Sequence, residues 1–571
     1  MRTSTLTPTP TAPERRTRQG DFTTICEALD FAAGQPTGIN IYSVRGELTE
    51  ALPYARLREE AVALARRMVA AGFEHGDRIG LAADSDGEFL RAFFACQYAG
   101  LTPAPLPLPA PFGGKDAYLE HLRRLLRSAR AAAALAPAAL APWFREAGEE
   151  LALSFAGGLE ELPDRGASTL RDPDPGGLCY LQFSSGSTRF PLGVAVTQKA
   201  LMANIRAIGA DGLGVSSTDR AVSWLPLYHD MGLVGMLLTA LAFQVSLDLA
   251  STSAFVRRPT LWLDLISSNG GTISYAPTFG YELAARRAGA LADSLELSTW
   301  RIAGLGGEMI RPDALRRFTE AFSSFGFDDR AFVASYGMAE ATLALTLSPL
   351  GQGLRTDVVD LERLERDQCA APPARANARI REFALCGRPL PGHRLEVRDG
   401  AGAPVGERRV GRIFAAGPSL MQAYFDEPDQ SAKVLSPEGW LDTGDLGYRV
   451  NDQIVITGRA KDLMIINGRN IWPQDLEWTA EKEIAGIRSG DVAVFSVQKG
   501  EEESVVALVQ CRSSEAAARE AIRAQVANLI RMRHGLEAEV TLAPPHSLPQ
   551  TSSGKLSRSR AKTLFLAGAF G

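Results

Sequence analysis

A chain of 571 residues has material for more than one domain with sizeable cores. Apolar residues make up 45% and charged residues 22%, and the six cysteines (Cys26, Cys96, Cys179, Cys369, Cys386 and Cys511) form no CxxC pair; this counts against a disulfide framework or a zinc site. A net charge of −5 argues against nucleic acid as the main partner.

Met1 to Gly20 is rich in Thr, Pro and Arg and lacks an apolar run, so it reads as a disordered leader and not a secretory signal. From Phe22 to about Leu170 helical and strand patterns alternate, which points to a layered α/β core. Helical spacing covers 54–71 and 88–99, and a strand is predicted over 77–83. The prolines between Pro103 and Pro111 predict an extended connector. Arg123, Arg124, Arg127 and Arg130 fall near one helical face, for which a solvated surface is the simplest account. Residues 131–142 are Ala/Pro-rich and specify little.

Leu178 to Phe183 reads as a short buried strand, followed by Ser184, Ser185, Gly186, Ser187 and Thr188. Such a loop can curl N–H groups and hydroxyls around a phosphate; by itself it could equally be a surface turn. It is not a kinase-type P-loop, because Gly193 is followed by Val194. A helix is predicted over 198–208. The uncharged run Met231 to Leu247 contains Gly232, Gly235 and Gln244, which favours a buried helix over a membrane span. Arg301 to Met309 reads as a strand entering a glycine turn, and Met309 stands where a GxGxxG motif needs its last glycine. Residues 348–385 mix Gly, charges and Ala/Pro, with Val358, Leu361 and Leu364 as expected anchors. Strands are predicted over 394–398, 410–415, 491–497 and 504–510, an amphipathic helix over 515–531, and a basic tail after it.

Seven stretches, in order, resemble the boxes of adenylate-forming enzymes: acyl-CoA synthetases, peptide-synthetase adenylation domains and luciferases. They are Ser184-Ser-Gly-Ser-Thr188, Leu225-Pro-x-x-His229-Asp-Met-Gly232, Gly304-x-Gly306-Gly307-Glu308, Tyr336-Gly-x-x-Glu340, Thr443-Gly-Asp445, Gly458-Arg459-x-x-Asp462 and Pro549-x-Thr-x-x-Gly-Lys555-x-x-Arg558. Arg189 and Leu192 replace a glycine and a lysine of the usual phosphate loop, and this form is similar to the fatty acyl-AMP ligase branch.

The resemblance implies an α/β protein. A large N-terminal adenylate-forming domain of layered sheets and helices would span 21–461, with an insertion near 348–385. A smaller, mobile α+β C-terminal domain would span 462–571, with its hinge at Asp462. It implies ATP and Mg2+, with Ser184, Ser185, Gly186, Ser187 and Thr188 on the phosphates. Gly306, Gly307 and Glu308 would present backbone to the adenine, where absent side chains let a flat ring approach. Ser335, Tyr336, Gly337 and Met338 belong to the same nucleotide site, with Tyr336 on the adenine. Glu340 would hold Mg2+, Asp445 the ribose hydroxyls, and Arg459 ribose and phosphate. His229 would stand by the acyl pocket and the phosphates, and Lys555 would bridge the carboxylate and the α-phosphate.

The implied reaction is activation of a fatty acid as acyl-AMP with release of pyrophosphate. Acyl transfer to the phosphopantetheine thiol of an acyl carrier protein would follow, in a polyketide- or lipopeptide-type pathway. The insertion, associated in that branch with poor use of coenzyme A, would act by restricting rotation of the C-terminal part. A cytoplasmic protein with no stable membrane insertion and no nucleic-acid partner is expected. The alternative acceptor is coenzyme A. A luciferase-like oxidoreductase and a non-catalytic acyl or nucleotide sensor stand further off, since Lys555 and Glu340 are both present.

Overall fold

The computed structural model describes residues 17–109, 114–163, 168–183, 191–290, 295–499, 502–550 and 556–570. Of the expected leader, positions 1–16 lie outside these residues, whereas Arg18 is anchored. It pairs with Asp21 and Glu27 and lies 3.9 Å over the Phe22 ring.

A nine-stranded sheet forms the centre, in the order Arg388–Pro389, Ala344–Leu347, Phe332–Gly337, Ile302–Leu305, Ile273–Ala276, Arg220–Ser223, Ser246–Ala250, Gly38–Tyr42 and Leu48–Pro53. From Phe332–Gly337 to Gly38–Tyr42 the strands run parallel, and antiparallel partners close both edges. Ile273–Ala276 and Ile302–Leu305 are buried at every position, as expected of parallel strands covered on both faces.

The second sheet is parallel, in the order Thr102–Leu106, Arg78–Ala82, Ala133–Leu135 and Phe155–Gly157. It corrects the connector expected over Pro103–Pro111, because Pro103 and Pro105 pair in register with Ile79 and Leu81 inside a fully buried strand. The strand lies at the sheet edge, the one place where missing N–H groups break no ladder. The Ala-rich stretch after residue 131 supplies the third strand.

Tyr54–Ala71 is helical because Leu57, Ala61, Leu64, Ala65 and Met68 make one buried stripe, and Gly72 (φ 105°) ends it in the left-handed region. The arginines of helix Lys115–Ser128 meet carboxylates at the surface: Arg123 and Arg127 both reach Glu150. The run from Met231 does not form one helix to Leu247. A π-helical turn over Met231–Leu238 passes into a short α-helix, Thr239–Ala242, and the chain then enters strand Ser246–Ala250. No helix among the described residues is long and apolar enough to cross a membrane.

The stretch 348–385 is more ordered than its composition predicts. Thr356–Asp360 and Ile380–Ala384 pair as an antiparallel hairpin around helix Leu361–Asp367. Val359, Leu361, Leu364 and Phe383 join Tyr448, Val455 and Trp472 in one apolar cluster. Val358 is not an anchor: successive strand residues face opposite ways, so Val359 takes the buried place and Val358 stays exposed.

Beyond position 462 come the hairpin Met464–Ile466/Arg469–Ile471 and the helices Pro473–Glu483, Ala516–His534 and Arg558–Leu566. A three-stranded sheet of Val492–Lys499, Glu502–Gln510 and Ala538–Ala543 completes this part, which packs around cores of its own. The protein is thus a large α/β unit of layered sheets followed by a smaller α+β unit.

His534 ties two helices of the smaller unit, its Nε2 lying 3.1 Å from the Thr479 hydroxyl. Burial, with Arg379 and Arg469 nearby, pushes its pKa down to about 4. An unfolded chain takes up that proton near pH 6.5, so stability should fall as pH drops from 6.5 towards 4, by about 2–3 kcal/mol. Urea unfolding of wild type and His534→Gln across that window checks it; identical pH slopes would refute the assignment.

Candidate active site

A cavity of about 320 Å³ opens at the carboxyl ends of the central parallel strands, where open α/β sheets bind ligands. Its polar side is built from strand ends and turns. Ser335 and Tyr336 end strand Phe332–Gly337, and Gly306 and Gly307 follow Ile302–Leu305. Gly307 has φ 78°, in the left-handed region that favours glycine, and a Cβ on Gly306 would stand 2.8 Å from the Ser335 hydroxyl.

Tyr336 donates to the Asp445 carboxylate at 2.9 Å, and Arg459 Nε lies 3.5 Å from its other oxygen. Burial raises the Asp445 pKa, and Arg459 opposes the shift. Glu340 sits in the 3₁₀ turn Ala339–Ala341, buried, with Tyr424 donating to it at 2.8 Å. Burial raises its pKa and the Tyr424 hydrogen bond opposes this. His229 Nδ1 is 2.6 Å from Asp230.

The cavity wall therefore brings together His229, Gly306, Gly307 and Ser335 with Tyr336, Gly337, Met338, Glu340 and Arg459. Three expected residues sit elsewhere. Asp445 is not itself on the wall, but its partners Tyr336 and Arg459 and its neighbours Thr443 and Gly444 are. Glu308 turns its carboxylate away to accept from Phe279 N at 2.9 Å, at the start of helix Thr278–Ala285. Asp462 pairs with Arg558 at 3.1 Å. Ser184–Thr188, Arg189 and Lys555 lie outside the described residues, although Gln182, Phe183 and Leu192, on either side of the first loop, line the cavity.

Sequence reasoning missed Tyr424, Arg412 and Lys461. Arg412 lines the cavity and pairs with Asp442 at 3.0 Å. Lys461 also lines it, its pKa lowered by burial and by Arg459. A second cation two residues after Arg459 was a usable signal; Tyr424 carried none.

Apolar side chains also line the cavity, beside Gln182, Tyr228, Asp230, Tyr275 and Thr443. Ile208 comes from one π-helical turn, Met231 and Gly235 from another, and Leu343, Ala344 and Leu347 from the strand Ala344–Leu347 and the residue before it. One cavity thus joins a charged, glycine-lined half to a greasy half. Among the described residues no three His, Cys, Asp or Glu gather as a metal cluster. A lone carboxylate such as Glu340 fits a magnesium ion, which takes most of its ligands from phosphate and water.

The model of the AMP-binding enzyme family matches residues 31–425. The chain belongs to that family. Over 564 residues it is 59% identical to a putative acyl-CoA synthetase of Caulobacter vibrioides, covering 99% of both chains. It is 32% identical to a medium-chain-fatty-acid–[acyl-carrier-protein] ligase of Moorena producens, covering 96% of both. A structure from work on fatty acyl-adenylate ligases of E. coli and L. pneumophila superposes with a TM-score of 0.92 at 42% identity, over 97% of this chain and 100% of that one. As an AMP-binding enzyme the protein is an adenylate-forming ligase, and ATP is its nucleotide.

Proposed function

We propose that the protein activates a fatty acid as its acyl-adenylate and passes the acyl group to the phosphopantetheine thiol of an acyl carrier protein. One observation carries the reading: a single cavity holds the carboxylates and cations suited to a nucleotide and, without a break, an apolar half suited to an acyl chain. Arg459, Lys461 and Arg412 supply positive charge for the phosphates, and the Gly306–Gly307 turn leaves room for the flat base. Asp445, steadied by the Tyr336 hydroxyl, would accept from the ribose hydroxyls. Glu340 would hold Mg2+, which when bound neutralises phosphate charge. Lys555 and the Ser184–Thr188 loop take the roles their motifs imply, with Asp462 as the hinge. No protein nucleophile is needed, since positioning and electrostatics suffice for phosphoryl chemistry.

For the acceptor, the insertion is the relevant part. Glu365, on its helix, takes ion pairs from Arg379 at 3.2 Å and from Arg469, beyond the hinge, at 2.6 Å. Arg381, on its second strand, pairs with Asp475 at 2.8 Å. These contacts tie the insertion to the smaller unit and would restrict its rotation, which supports a carrier protein over free coenzyme A. The Moorena relative is named for carrier loading and the Caulobacter relative as a putative acyl-CoA synthetase, so coenzyme A is the second reading.

Mass spectrometry after mixing enzyme, ATP, Mg2+ and fatty acids, with coenzyme A or a pantetheinylated carrier, decides between them. Acyl-AMP that persists beside coenzyme A but loads the carrier supports the proposal; rapid acyl-CoA formation refutes the acceptor. In Asp445→Asn, loss of one charge-assisted ribose contact should raise KM for ATP about tenfold or more with a smaller change in kcat. An unchanged KM in pyrophosphate exchange would remove Asp445 from the site.

A further inference from the structure

Glu340 is held in the cavity wall by a strained turn and by a strap of chain from far along the sequence. The chain reverses straight after it. Leu343 N donates to Ala341 O at 2.8 Å with Thr342 between them at φ 67° and ψ −54°, a γ-turn of the rare, strained kind. Positive φ at a β-branched residue is a genuine outlier, and such strain persists only where the surroundings over-determine it. Here the Thr342 hydroxyl, on a wholly buried residue, donates to Ser419 O at 2.7 Å.

Residues 419–425 grip the same turn twice more. Met421 N donates to Glu340 O at 2.8 Å, and the Tyr424 hydroxyl donates to Glu340 Oε1 at 2.8 Å. The strap is itself anchored: Gln422 N donates to Ala195 O, Ala195 N to Ala423 O, and Phe425 N to Gly193 O. Those partners belong to strand Gly193–Thr197, the next strand in sequence after the Ser184–Thr188 loop. Two side-chain hydroxyls, from Thr342 and Tyr424, thus fix the backbone turn and the carboxylate of one residue in the cavity wall.

We infer that Thr342 and Tyr424 are positioning residues, whose hydroxyls hold the Glu340 carboxylate aimed into the cavity to take a divalent cation. This rests on the reading of Glu340 as the residue that holds Mg2+. Partners that orient a metal-holding carboxylate typically contribute about 10–100-fold to metal affinity. The test is Mn2+ binding, followed by electron paramagnetic resonance, to the full-length enzyme with a non-hydrolysable ATP analogue. Tyr424→Phe keeps the ring and removes only the hydroxyl. It should weaken Mn2+ binding about 10–100-fold and raise the Mg2+ concentration for half-maximal pyrophosphate exchange in step, with KM for the fatty acid unchanged. Thr342→Val should act in the same direction, whereas Thr342→Ser, which keeps the hydroxyl, should bind Mn2+ as wild type does. Thermal unfolding checks that each variant folds; where one does not, the other decides. Wild-type Mn2+ affinity in folded Tyr424→Phe or Thr342→Val, beside a loss in Glu340→Gln, would overturn the inference and leave Glu340 its role. Wild-type affinity in Glu340→Gln would overturn that role, and this inference with it.

Discussion

Alanine at Lys555 is expected to slow acyl-AMP formation by about 10²–10³-fold, the scale for one charge-stabilising group aimed at a reacting centre. As the carboxylate attacks the α-phosphorus, negative charge spreads over the α-phosphate oxygens and the departing pyrophosphate. A compact ammonium can follow that charge between two oxygens. The described cavity wall already contributes Arg459, Lys461 and Arg412, but all three are fixed on strand or turn positions of the polar half. Lys555 is carried by the smaller unit, and its neighbour Arg558 is clamped by Glu477 at 2.6 Å and by Asp462 at 3.1 Å. If the smaller unit rotates between the two steps, as proposed, the lysine would act in only one half-reaction. Transfer of the acyl group from supplied acyl-AMP to carrier should proceed in Lys555→Ala at close to the wild-type rate. Single-turnover assays of the two steps separate these outcomes, and equal loss in both would contradict the role.

The candidate site was legible where function needs short local strings. Glycines for close backbone approach, a Tyr-Gly-x-x-Glu box and an Arg-x-Lys-Asp turn can be read without knowing the fold. What Glu340 and Tyr336 bind within the protein could not be read that way. Their partners, Tyr424 and Asp445, lie 84 and 109 residues away. In the fold, the helix over 54–71 was plain from one apolar stripe. The prolines at 103 and 105 misled, because only the sheet order shows that they occupy an edge. The insertion misled through composition: charges that suggest a surface loop are here paired inward, Glu365 with Arg469 and Arg381 with Asp475.

That inward pairing leads to the second large effect. Arg381 is 7% exposed, packed 4.2 Å over the Phe383 ring and 5.5 Å from the Trp472 ring, and it meets Asp475 at 2.8 Å. Burial lowers the Arg381 pKa and raises that of Asp475, so both charges lose hydration that their attraction only partly restores. Arg381→Ala leaves Asp475 buried without its cation and should cost about 3–5 kcal/mol. A carboxylate whose folded pKa lies above its unfolded value destabilises as pH rises through that interval. The deficit relative to wild type should accordingly shrink on acidification, because Asp475 can then take up a proton. Replacing both partners by apolar residues, Arg381→Met with Asp475→Leu, removes the uncompensated charge and should bring stability back to within about 1 kcal/mol. That double variant separates stability from function. If the insertion discriminates against coenzyme A by holding the smaller unit, a stable protein without this tie should form acyl-CoA from acyl-AMP more readily than wild type. Restored stability with coenzyme A still refused would place the discrimination elsewhere, with Glu365 and Arg469 the next pair to release.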